Sequence, residues 1–85
     1  MRLHPDVITA ETEDGTVLLH QRTGRYWQLN TTGTTVITGL TSGDSLDEIA
    51  HRMAERYGLP AEQARRDVEA VVRQLRTARL VEGAP

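Results

Sequence analysis

The first third of the chain alternates partly between apolar and polar positions, as antiparallel strands do. Residues 6–13 (DVITAETE) and 16–21 (TVLLHQ) are rich in β-branched and aliphatic side chains. The Asp-Gly pair at 14–15 is a strong signal for a two-residue hairpin turn. A second turn at 22–24 leads into a third strand at 25–29. The pattern predicts a three-stranded antiparallel meander, whose outer edges must be covered or used.

After the third strand, apolar positions recur every three to four residues, which predicts helices. Asn30 is suited to cap the first helix, but residues 31–40 contain two glycines and five threonines, which disfavour a helix. Packing of the face that carries Val36, Ile37 and Leu40 must therefore stabilise it.

The second and third helices have clearer signals. Ser45 and Glu48 form a capping box, and Gly58 ends the second helix. Pro60 opens the third helix in its first turn, and the apolar face continues to about Arg79. The predicted fold class is α+β in the order β-β-β-α-α-α, as one domain over residues 1–85 with an ordered core from about 6 to 81.

Composition narrows the possible functions. The 85 residues carry a formal net charge of −2, and all ten basic residues are arginine. The absence of cysteine excludes disulfides and cysteine-ligated metals, and is typical of a cytoplasmic protein. No apolar run approaches the ~20 residues that span a bilayer, and residues 1–5 do not resemble a signal peptide.

Motifs for catalysis or metal binding are missing. The three histidines, His4, His20 and His51, are scattered, and we interpret them as surface residues. Ser45 is explained by capping, and no phosphate-binding or hydrolase motif occurs. We therefore expect no cofactor, no metal and no enzymatic activity.

A nucleic-acid-binding regulator is the alternative function. A small sheet with three helices is the inventory of a winged helix, whose helices enter the major groove. The third helix and its end carry five cations, namely Arg65, Arg66, Arg73, Arg76 and Arg79. Acidic residues interleave with them and the domain is mildly acidic, which favours contact with protein or water instead.

Four segments in this order resemble the PqqD-like proteins: GRYWQLN (24–30), TTGTTVI (31–37), SLDEIAHRMA (45–54) and VVRQLRTARLV (71–81). These proteins are the recognition elements of pathways that modify ribosomally made peptides (RiPPs). The similarity covers roughly residues 7–81, on the matching positions Tyr26, Leu29, Asn30, Thr32, Gly33, Leu46, Glu48, Ile49, Leu75, Leu80 and Val81. A departure is the threonine-rich first helix, where the family often has alanine and a bulky aromatic residue. A chain of this size looks most like the discrete leader-binding proteins of lasso-peptide biosynthesis, and this departure leaves open whether the pathway is that one or another modified-peptide pathway.

The resemblance implies a winged-helix-like fold that binds the leader segment of a precursor peptide. The leader adds as an antiparallel strand beside the third strand and lies against the third helix. Such a protein does no chemistry, and presents the precursor to a transglutaminase-like leader peptidase, with the ring-closing cyclase as a further partner. In lasso-type members the leader carries a Tyr-x-x-Pro-x-Leu pattern.

The expected peptide-binding residues lie on the third strand and the third helix. Alternation places Trp27 and Leu29 on one face of the strand and Tyr26 and Gln28 on the other. We expect Leu29 in the core and Tyr26 in the groove, while Trp27 fits core and pocket wall equally. The full predicted set is Arg25, Tyr26, Trp27, Gln28, Leu29, Asp67, Val68, Val71, Val72, Leu75 and Arg76, with the backbone of 25–29 as its main part.

Overall fold

A computed structural model describes residues 1–83. The strands are β1 (Arg2–Leu3), β2 (Val7–Thr12), β3 (Gly15–His20), β4 (Tyr26–Leu29) and β5 (Val81–Glu82), and the helices are α1 (Thr31–Thr41), α2 (Leu46–Tyr57) and α3 (Ala61–Thr77). Strands β2, β3 and β4 form the expected antiparallel meander, in the order β2-β3-β4. The predicted α+β class, with a three-stranded sheet and three helices, is confirmed.

The first hairpin turns one residue earlier than predicted. Thr12 pairs with Gly15, so the two-residue loop is 13–14, and Gly15 is already part of β3. Gly15 has a φ of +145°, and a Cβ there would collide with the carbonyl oxygen of Leu29 on β4. The glycine is thus required because two strands approach each other closely at this position. It does not lie at the centre of the turn.

A second, very small sheet joins the two ends of the described chain. Strands β1 and β5 pair antiparallel, and Arg2 forms a salt bridge of 3.1 Å with Glu82. These strands were not predicted from the sequence, because two residues are too few to show alternation. They add a strand before the meander and one after the last helix to the predicted element order.

The helix caps agree with the sequence signals, with one shift. The Asn30 side chain accepts a hydrogen bond of 2.9 Å from the Gly33 backbone N–H, and Ser45 and Glu48 form the capping box of α2. Pro60 is the residue just before α3, so it precedes the first turn instead of lying in it. The core contains residues of all three helices and both sheets: Val7, Leu18, Val36, Ile37, Leu40, Ile49, Ala50, Met53, Ala64, Val68, Val72, Leu75, Leu80 and Val81.

His20 is buried, and the expectation of a surface histidine is wrong for this residue. It is 7% exposed and lies on the same face of β3 as the buried Thr16 and Leu18. Its ring lies 5.0 Å from that of His4, which is half-buried. Because β3 is the central strand, every second residue faces the helices, whatever its polarity.

Candidate functional site

The outer edge of β4 is open. In residues 1–83, β4 pairs with β3 on one side and with no strand on the other. The His20 N–H donates to the carbonyl oxygen of Arg25 at 2.9 Å, which marks this pair as a hydrogen-bonded one. Since such pairs alternate along an antiparallel ladder, Trp27 and Leu29 direct their backbone groups towards β3.

The residues between them, Tyr26 and Gln28, direct their N–H and C=O groups away from the sheet. This edge therefore offers two donors and two acceptors in the arrangement that another strand requires. The open groups belong to the backbone and do not depend on which side chains β4 carries.

A cleft runs between this edge and α3, and has two compartments of similar size. The first, which we call the arginine compartment, measures about 460 Å³ and is lined by Arg25, Trp27, Arg73, Gln74, Thr77 and Ala78. The second, the aspartate compartment, measures about 450 Å³, and its lining includes Leu29, Gly33, Asp67, Ala70, Val71 and Gln74. Each far exceeds the ~30 Å³ that a water molecule occupies, so each has room for a side chain.

One stripe of α3, continued by the residue that caps its C-terminal end, forms the wall of both compartments. Asp67, Ala70, Val71, Gln74 and Ala78 follow one another at intervals of one, three or four residues, so they share a helix face. Most of these side chains are small or polar, and they leave space between the helix and β4. The predicted site residues do not include Ala70, Gln74 and Ala78, nor the neighbouring Arg73 and Thr77. Helical spacing from Asp67 was the signal that could have identified them.

Three of the predicted site residues on α3 lie in the core. Val68, Val72 and Leu75 are 0%, 6% and 2% exposed. Val72 also borders a second depression with Leu46, Arg73 and Arg76, on the neighbouring side of α3, and Arg73 lines both this depression and the arginine compartment. The apolar arc of α3 is wide because it serves two regions: these three residues pack in the core, and Val71 lies on the floor of the cleft.

The side chains of β4 divide between the cleft and the outer face of the sheet. Trp27 and Leu29 are half-buried, pack against the core and also line the cleft. Trp27, for which core and pocket wall were equally expected, therefore contributes to both. Tyr26 is 70% exposed on the opposite face, in a row across the sheet with Leu19 and Ile8. The Tyr26 side chain therefore lies outside both compartments, while its backbone lies on the open edge.

Charge is distributed unevenly along the cleft. The Arg25 guanidinium lies 5.3 Å from the centre of the Trp27 ring, and Arg73 lines the same compartment. Asp67 is half-buried in the other compartment. Arg76 faces elsewhere and donates to the carbonyl oxygen of Gly83 at 3.2 Å.

The remaining helix surfaces offer less to a ligand. The groove between α2 and α3 has a floor of alanines, and on its rim Arg65 forms salt bridges with Asp47 and Glu69. These carboxylates reduce the positive charge that a DNA-reading helix needs. Among residues 1–83, no cluster of three or more histidine, cysteine or acidic residues is placed to hold a metal ion. Nor is any helix in this range long and apolar enough to cross a membrane.

Comparison with known proteins decides the family. The family described as coenzyme PQQ synthesis protein D (PqqD) matches residues 15–81. The chain belongs to the PqqD family. This region includes the open strand β4 and the whole of α3, and thus both walls of the cleft.

Two solved structures are similar to this PqqD family member along nearly its whole length. One, described as lasso peptide synthetase B1 complexed with the leader peptide, is 34% identical, covers 96% of each chain and has a TM-score of 0.91. The other, TbiB1 in complex with the TbiA(beta) leader peptide, is 29% identical, covers 100% of this chain and 99% of its own, and also has a TM-score of 0.91. No curated protein sequence gave a match. None of these similarities supports the nucleic-acid alternative.

Proposed function

We propose that this PqqD family member binds the leader segment of a precursor peptide by adding it as an antiparallel strand to β4. The open backbone groups of Tyr26 and Gln28, beside a cleft wide enough for side chains, carry this proposal. In strand addition, main-chain hydrogen bonds give affinity and pockets for alternate side chains give specificity. Both similar structures are described as complexes with a leader peptide.

Within the described residues 1–83 the sheet has a second open edge, on β2, and the surroundings of the two edges favour β4. Five of the six residues of β2 are exposed, and the depression nearest its end is lined mainly by polar residues around Glu11. The β4 edge faces α3 across an apolar cleft floor that includes Leu29 and Val71. A peptide on β4 buries apolar side chains as well as pairing its backbone, which adds to its affinity.

The role we assign is delivery without catalysis. A bound leader holds the precursor near a second enzyme and raises its effective concentration there. A transglutaminase-like leader peptidase is the partner we propose, with the cyclase as a further one, in a cytoplasmic lasso-peptide pathway. The binding partner is then a leader with the Tyr-x-x-Pro-x-Leu pattern.

Proline substitutions on the two edges test this proposal. Gln28→Pro removes a donor that points away from the sheet, and proline is tolerated on an edge strand. Thr9→Pro is the matched control, because Thr9 lies between residues that bond to β3, so its N–H points to the open edge of β2. The assay is fluorescence anisotropy with a fluorescein-labelled peptide containing Tyr-x-x-Pro-x-Leu, and circular dichroism verifies that each variant is folded.

We expect Gln28→Pro to weaken binding at least tenfold, since it removes one hydrogen bond, worth about 1 kcal/mol, and places a ring in the path of the peptide. Thr9→Pro should leave the affinity within about twofold. Loss of binding in Thr9→Pro alone would assign the peptide to β2. No saturable binding by the unsubstituted protein would refute leader recognition itself.

A further inference from the structure

The two ends of the cleft carry opposite charges that the protein leaves unpaired. Within residues 1–83, Arg25 and Arg73 in the arginine compartment form no salt bridge, and neither does Asp67 in the aspartate compartment. Four other arginines of this range, Arg2, Arg22, Arg52 and Arg65, all have a carboxylate partner. Arg56, Arg66, Arg76 and Arg79 also lack a carboxylate partner, so Arg25, Arg73 and Asp67 are distinguished by their position in the cleft, where the proposed ligand lies.

Strand addition fixes which part of the peptide meets each charge. An antiparallel peptide on β4 runs from Leu29 towards Arg25, so its earlier residues lie beside Asp67 and its later ones beside Arg25 and Arg73. Side chains opposite Leu29, Trp27 and Arg25 belong to peptide residues i, i+2 and i+4, and all face α3. The residue at i+4 therefore enters the arginine compartment between two cations.

The Trp27 ring keeps one of these cations in place. The Arg25 guanidinium is stacked over it at 5.3 Å, an arrangement in which the ring attracts the cation and limits its rotamers. A carboxylate that reaches Arg25 and Arg73 together meets two donors that no acidic side chain of the described chain occupies.

Resting on the proposed function, we infer that the cleft selects a leader whose docked segment ends in acidic residues and begins with basic or hydrogen-bond-donating ones. The charges then set the direction of the peptide as well as its sequence preference. A peptide docked in the opposite direction places its acidic end against Asp67 and its basic end against the two arginines, which is repulsive at both ends.

A pair of peptides with identical composition tests the inference. The first has three lysines before the Tyr-x-x-Pro-x-Leu segment and three glutamates after it, and the second has the two charged blocks exchanged. Both carry fluorescein and are titrated with the unsubstituted protein, with the double variant Arg25→Gln/Arg73→Gln, and with Arg66→Gln. Arg66 is the matched control, because it is an exposed arginine of α3 that borders the groove towards α2 and not the cleft.

We expect the first peptide to bind about three- to tenfold more tightly than the second, as two partly exposed ion pairs contribute modestly. The double variant should keep only the part of this difference that Asp67 contributes, and Arg66→Gln should keep all of it. Raising the ionic strength should reduce the difference, since the pairs are exposed to solvent.

Equal binding of the two peptides, a preference for the second, or a preference that is undiminished in the double variant overturns the inference and leaves leader binding standing. Failure of both peptides to bind any of the proteins refutes the proposed function, and this inference with it.

Discussion

Replacing Gly39 with alanine perturbs the contact between α1 and α2. Gly39 is buried in α1, and a Cβ there would lie 2.6 Å from Cγ1 and 2.9 Å from Cδ1 of Ile49 on α2. Ile49 is fully buried, so its side chain has no solvent to move into. This contact positions α1, whose first turn contributes Gly33 to the cleft.

Two opposing effects set the size of the change in the free energy of unfolding. Alanine is a better helix former than glycine by about 1 kcal/mol. An extra methyl group in a closely packed core destabilises by about 1–3 kcal/mol. Contacts below 3 Å to a buried β-branched side chain place the packing cost of Gly39→Ala near the upper end of this range. After subtraction of the gain in helix propensity, we expect the free energy of unfolding to fall by about 1–2 kcal/mol.

Thermal unfolding followed by circular dichroism measures this effect. We expect the Tm to fall by about 4–16 °C, given about 4–8 °C per kcal/mol for a domain of this size. Thr38→Ala is the control, because Thr38 is an exposed neighbour in the same helix and should gain about 0.5 kcal/mol from propensity alone. In an Ile49→Val background, which lacks Cδ1, the cost of Gly39→Ala should shrink. An unchanged or higher Tm for Gly39→Ala would refute the reasoning, since it would mean that Ile49 repacks freely.

Three further predictions concern β4 and its junction with α1. Asn30→Ala removes the α1 cap and should lower the free energy of unfolding by about 1 kcal/mol, measured by urea denaturation; no change would mean that the cap contributes nothing. Tyr26→Ala should change that free energy by less than about 0.5 kcal/mol because the side chain is exposed, yet weaken leader binding about two- to fivefold through a lost cross-strand contact; unchanged anisotropy would contradict this. Trp27 is the only tryptophan, so its emission should shift to shorter wavelength when a tryptophan-free leader covers the cleft; a constant spectrum at saturation would place the peptide elsewhere.

Features that depend on a few neighbouring residues were predictable from the sequence. The caps at Asn30 and Ser45 need only a side chain and an N–H three residues later, and both are present. The pairing of β1 with β5 was not predictable, because Arg2 and Glu82 meet across almost the whole chain. The position of Gly15 was misinterpreted for a related reason, since the atom that excludes a Cβ there belongs to Leu29 on another strand.

The cleft was only partly predictable from the sequence. The sequence shows that α3 has a wide apolar arc, but which part of the arc is covered depends on where β3 and α2 pack. In the structure, Val68 and Leu75 are buried in the core, whereas Val71 lines the cleft. Small residues such as Ala70 carry little information by themselves, although their absence of bulk is what creates the space.

Strand β4 separates its structural and binding tasks by the alternation of its backbone. Trp27 and Leu29 direct their N–H and C=O groups to β3 and their side chains to the core and cleft, so changes there alter the fold and the site together. Tyr26 and Gln28 direct their backbone groups outward, and truncating their side chains leaves those groups in place. A scan of side chains would therefore understate the importance of Gln28, whereas removal of its N–H acts on the docking edge itself. The same alternation lets the proposed leader-binding edge tolerate varied side chains, because the main-chain groups that make it are common to every residue except proline.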